Sequence, residues 1–111
     1  KIIKKIFKES MKEKKYILYL INNAGVRHRQ EFIKIKKKEL EKTFQINYFS
    51  IFRIMQIYLD YCLKFNLRSS IVNIGSIVGG KQGFPNLTAY ASTKGALKSL
   101  VSEQILLTQD L

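Results

Sequence analysis

The sequence predicts an α/β fold. Two short apolar runs rich in strand-forming residues are separated by a long apolar helix, and helical patterns stand at both ends. Residues 16–21 form the first run, closed by the turn chemistry of Asn22-Asn23-Ala24-Gly25. Residues 70–74 form the second, followed by a loop with Gly75, three further glycines and Pro85. Two strands joined through a helix run parallel, with a right-handed crossover. Parallel strands need helices on their faces, and this chain supplies them.

The elements follow in order. Residues 1–15 read as the end of an amphipathic helix, with Ile2, Ile3, Ile6, Phe7 and Met11 on one stripe. Residues 26–37 read as a loop. From 38 to 66 the pattern is helical, but Phe44, Ile46, Phe49, Phe52, Met55, Tyr58 and Leu63 occupy more than one stripe. Such a helix must be buried on two sides. One side can cover the sheet while the other wants a partner. A last helix runs from about residue 89 to 111 through Leu97, Leu100, Val101, Ile105 and Leu106. Two parallel strands leave both sheet edges bare, so residues 1–111 are expected to be the central part of one larger domain.

Composition narrows the function classes. A hydrophobic content of 46% with a mean hydropathy of −0.10 describes a globular chain rather than a disordered tail. No apolar run approaches the roughly 20 residues of a membrane span, so no transmembrane segment is expected. Net charge is +12, yet 16 of the 20 basic residues are lysine. Arginine, the better reader of phosphates and bases, is scarce, which argues against a nucleic-acid partner. Cys62 is the only cysteine and can form no internal disulfide. It suits a packed position in a reducing, cytoplasmic setting, and a start at Lys1 leaves room for an upstream targeting segment. One histidine, His28, and one cysteine make a zinc site a poor reading.

The chemistry concentrates in the second half. Tyr90 and Lys94 are one helical turn apart, fourteen residues after Ser76. Residues four apart on a helix share a face. A lone phenol titrates near ~10, but an ammonium beside it favours the phenolate and makes the pair useful for proton transfer. A serine hydroxyl close by can hold the oxygen that gains or loses the proton. Asn47 lies midway between Asn22-Asn23-Ala24-Gly25 and Ser76. By itself it reads as a helix-interior asparagine bonded to backbone.

Together, Asn22-Asn23-Ala24-Gly25, Asn47 in Gln45-Ile46-Asn47-Tyr48, Ser76, and Tyr90 with Lys94 resemble the short-chain dehydrogenase/reductase family, over nearly the whole chain. Residues 71–78 look most like those of 3-oxoacyl-(acyl-carrier-protein) reductases and carbonyl reductases. The resemblance implies a Rossmann-like, doubly wound parallel sheet, here as a βαβ unit with flanking helices. The family's glycine-rich turn and last strands are missing from it. It implies NAD or NADP as cofactor and hydride transfer to a small carbonyl or alcohol substrate. Tyr90 would be the general acid, Ser76 a hydrogen-bond donor to the substrate oxygen, and Lys94 a partner of both Tyr90 and the nicotinamide ribose. Asn47 would hold a water that extends the proton path. Asn22, Ala24, Gly25, Tyr90 and Lys94 would contact the cofactor, and Asn23 would tie neighbouring strands. The helices at 38–66 and 89–111 would form a homo-oligomer interface.

Departures and rivals remain. The Ser76–Tyr90 spacing is one residue longer than usual in the family, an insertion placed at Gly79-Gly80. Leu18 stands where many members have aspartate. Such a partial domain is expected to be inactive alone, and the competing class is a non-catalytic scaffold that retains the family core. Gly75-x-x-x-x-Gly80-Lys81 nearly matches a phosphate-binding loop, but Gln82 replaces the magnesium-binding hydroxyl residue. Arg27, His28 and Arg29 read either as a solvated loop or as a basic patch favouring an anionic substrate.

Overall fold

The computed structural model describes residues 1–80 and 83–109, with side chains described through Val101. Contacts divide the chain into two compact units. One comprises Lys1–Asn23 with Phe52–Ile74, and the other Ala24–Ile51 with the described residues from Gly75 onward.

In the first unit, helix α1 (Ile2–Lys12) precedes strand β1 (Tyr19–Asn22), which pairs in parallel with strand β2 (Ser70–Asn73). The register runs from Tyr19 opposite Ser70 to Asn22 opposite Asn73. Leu20 and Ile71 pack against a core of Phe7, Tyr58, Tyr61 and Cys62. Side chains alternate across a strand, so Tyr19, Ile21 and Val72 fall on the other face and stay exposed. The α1 stripe is narrower than expected. Phe7 is buried and Ile3 and Met11 pack beside it, whereas Ile2 and Ile6 are exposed.

Two tyrosines anchor the approach to β1. Tyr58 donates its hydroxyl to the Ile17 carbonyl at 3.1 Å, and the Ile17 N–H donates to Tyr61 Oη at 3.1 Å. A buried phenol requires such a partner. Burial pushes the Tyr58 hydroxyl up to about 12. These tyrosines belong to helix α3 (Ser50–Lys64), which gives way to the left-handed residue Asn66, φ 49°.

The second unit contains a 3₁₀ turn at Phe32–Lys34, helix α2 (Lys37–Phe44), a π-helical turn at Gln45–Phe49 and helix α4 (Thr88–Gln109). The expected helix over 38–66 is therefore present but changes pitch at residue 45. There the Ser50 N–H bonds the Gln45 carbonyl five residues back, and Ser50 Oγ bonds the same oxygen at 2.6 Å. A π-turn widens the backbone coil and marks functional segments more often than plain ones. Helix α4 packs on both α2 and the π-turn.

Candidate active site

Asn47 lies in the middle of the π-turn, and its side chain is fully buried. Its amide is committed on three sides. Oδ1 accepts the Val26 N–H at 2.8 Å, Nδ2 donates to the Val26 carbonyl at 2.8 Å, and Nδ2 also donates to Thr93 Oγ1 at 3.2 Å. The backbone-bonded reading of Asn47 thus describes its side chain, with the backbone in question belonging to the loop after Gly25. One amide pins that loop to the π-turn and to α4.

Thr93 passes the connection on by donating to the Tyr90 carbonyl at 2.7 Å. Lys94 follows, 7% exposed, with Nζ 5.7 Å from the centroid of the Tyr90 ring. That distance is within cation–π range, so the two side chains share one face of α4 as their spacing predicts. Spacing from Tyr90 singles this lysine out in the sequence, but its burial comes only from the packing of α4.

Gly25 completes the cluster. A Cβ built there would lie 3.4 Å from Asn47 Oδ1 and 3.8 Å from Lys94 Nζ. A side chain there would stand in contact with both the amide and the ammonium, and glycine leaves them uncovered on that side. A hydroxyl-bearing ligand laid on the Gly25 backbone would come close to the Lys94 ammonium, a hydrogen-bond donor. The residues present fit a nicotinamide ribose.

Ser76 is exposed on the loop that follows β2. Its Oγ accepts the Val78 N–H at 3.1 Å, which leaves its own proton available to donate. The loop then docks onto α4 through glycine. Gly79 has φ +95°, and a Cβ there would collide with the Ala91 carbonyl and come within 2.7 Å of the Gly95 N. Gly95 faces Gly79 in return, its virtual Cβ 3.0 Å from the Gly79 carbonyl. The glycine at the proposed insertion is therefore a close contact rather than slack. Among the described residues no helix follows the loop before Thr88, so the phosphate-loop reading finds no helix N-terminus there, and Lys81 and Gln82 lie outside the described residues.

Asn22 belongs to the first unit, where its Nδ2 donates to Asn73 Oδ1 at 2.7 Å. The strand tie expected of Asn23 is made by Asn22 instead, because Asn22 is the last paired residue of β1 and points inward. Ala24 opens the second unit and is exposed.

Sequence comparison places the chain in a family. The family model of short chain dehydrogenases matches residues 1–107. The chain belongs to the short-chain dehydrogenase/reductase family. Carbonyl reductase (NADPH) 2 of Sus scrofa is 34% identical over 87 residues, covering 78% of this chain and 35% of the relative. The 3-oxoacyl-(acyl-carrier-protein) reductase of Thermotoga maritima is 28% identical over 95 residues, 86% of this chain and 38% of the relative. A solved structure of ElxO with NADP bound superimposes with a TM-score of 0.78 at 29% identity, over 88% of this chain and 39% of that one. The fold is accordingly the family's α/β Rossmann-type fold, represented by two of its parallel strands. The chain spans about a third of the length of the curated relatives it matches. No helix among the described residues is long and apolar enough to cross a membrane.

Proposed function

We propose that this short-chain dehydrogenase/reductase chain carries the proton-transfer half of an NAD(P)-dependent oxidoreductase acting on a small carbonyl or alcohol substrate. The observation that supports it most is the buried Lys94 ammonium against the Tyr90 ring, beside the open backbone of Gly25. NAD or NADP, when bound, supplies the hydride. Tyr90 then donates its phenolic proton to the substrate oxygen as negative charge develops there. Ser76 donates a hydrogen bond to the same oxygen, which counts most as the charge forms. Lys94 stabilises the phenolate left behind and hydrogen-bonds the ribose hydroxyls. Asn47 keeps this geometry by fixing the 25–26 loop to α4, and the water of the proton path is assigned to its backbone in the widened π-turn. Asn22, Ala24 and Gly25 line the cofactor side.

Carbonyl reductase and 3-oxoacyl reductase relatives favour a ketone substrate. Exposed apolar residues such as Phe49 and Leu63 support self-association through the long helix. The test, made with a full-length version, is a panel of ketones and alcohols with each nicotinamide, followed by absorbance of the reduced ring. Turnover with at least one ketone is the expected result. No turnover, with no nicotinamide bound, contradicts the reading.

A further inference from the structure

We infer that the cleft between the 26–28 loop and α2 receives the anionic end of the substrate, a carboxylate or phosphate. This deepens the oxidoreductase reading and rests on it. Val26, Arg27, His28, Glu39, Lys42 and Thr43 line a cavity of about 390 Å³, a volume suited to one small molecule rather than a macromolecule. Its charge is unbalanced. Among the described residues neither Arg27 nor Lys42 makes an ion pair or a side-chain hydrogen bond. The lining holds a single carboxylate, Glu39, against the two cations, and its oxygens are turned to other partners. Oε1 lies 3.8 Å from His28 Nε2, and Oε2 accepts the Lys36 N–H at 3.2 Å. Two unanswered cations facing a concave wall attract an oxyanion.

The cleft is also linked to the candidate active site through one loop. Its wall residue Val26 is held at both N–H and carbonyl by Asn47. Gly25, one residue earlier, stands over Lys94 Nζ. An acid anchored on Arg27 and Lys42 would therefore extend from the loop whose other side faces the catalytic lysine. The basic trio at 27–29 is only half of this feature. Lys42 comes from α2, and Arg29 is not among the lining residues.

His28 is the only histidine in the chain, so its imidazole C–H signals report on the cleft without ambiguity. The protein without nicotinamide is titrated at fixed pH and ionic strength with succinate, with inorganic phosphate and with neutral succinamide. The inference expects saturable displacement of the His28 signals by at least one anion and none by succinamide. The tighter anion identifies the headgroup. Arg27→Gln with Lys42→Gln should weaken that binding by about tenfold or more, while Arg29→Gln leaves it unchanged. Both cations are exposed, so the substitutions do not test folding. A displacement that never saturates, or that survives in the double variant, overturns the inference. Since no hydride donor is present, that outcome is distinct from failure of the oxidoreductase reading, which the absorbance panel detects.

Discussion

A buried carboxamide with three partners holds the site, and its removal should be felt twice. Asn47→Ala strands the Val26 N–H and carbonyl and one side of Thr93. Unpaired buried groups cost about 1–3 kcal/mol each, and solvent entering the gap recovers part of it. Denaturant unfolding should show a loss on the order of 2–4 kcal/mol, and nicotinamide binding should weaken because Gly25 is no longer fixed. A variant of native stability would mean the three bonds carry no net weight. Tyr58 makes a different prediction. Its hydroxyl is pushed up to about 12 by burial, so the neutral phenol is the form the fold favours. That contribution is complete below the usual tyrosine value of ~10 and is lost as pH rises from there towards 12. The total is about 2–3 kcal/mol. Compared with Tyr58→Phe, the native protein should be more stable at pH 8, through the bond to Ile17. The order should reverse near pH 12. A stability difference that does not change between those pH values would contradict the assignment.

At the scale of elements, the Ser76 loop and α4 meet through two glycines. Gly79→Ala places a methyl against the Ala91 carbonyl at a left-handed φ, costing roughly 2–3 kcal/mol or displacing the loop. Turnover should fall more than ketone KM rises, since Ser76 acts on the developing charge. Gly83→Ala is the contrast. Nothing lies within 4 Å of its virtual Cβ, so unfolding measurements should find it neutral or slightly stabilising, by up to about 1 kcal/mol. Equal effects from the two substitutions would remove the docking argument. The strands and helices themselves were readable from the sequence, because period-two and helical apolar patterns record burial directly. The π-turn was not, since α and π coils use the same residues and differ only in which carbonyl each N–H reaches. The Gly79 contact was not legible either, because glycine marks both freedom and close approach, and only the facing Gly95 decides between them.

For the molecule as a whole, the motif order was legible while its wiring was not. Tyr90 and Lys94 could be paired from spacing, and Asn47 and Ser76 added from the family resemblance, but the path from Asn47 through Thr93 to Tyr90 joins residues more than forty positions apart. The burial of one lysine among sixteen likewise emerges only when α4 packs on α2 and the π-turn. The strand tie made by Asn22 follows from where β1 ends. These details support one proposal, that Tyr90, its ring near the buried Lys94 ammonium, supplies the proton that accompanies hydride transfer. The most direct test compares native protein with Tyr90→Phe, measuring nicotinamide affinity by fluorescence and ketone reduction by absorbance. The account predicts nicotinamide affinity within about twofold and turnover reduced by at least ~100-fold. Turnover close to native in Tyr90→Phe would contradict it.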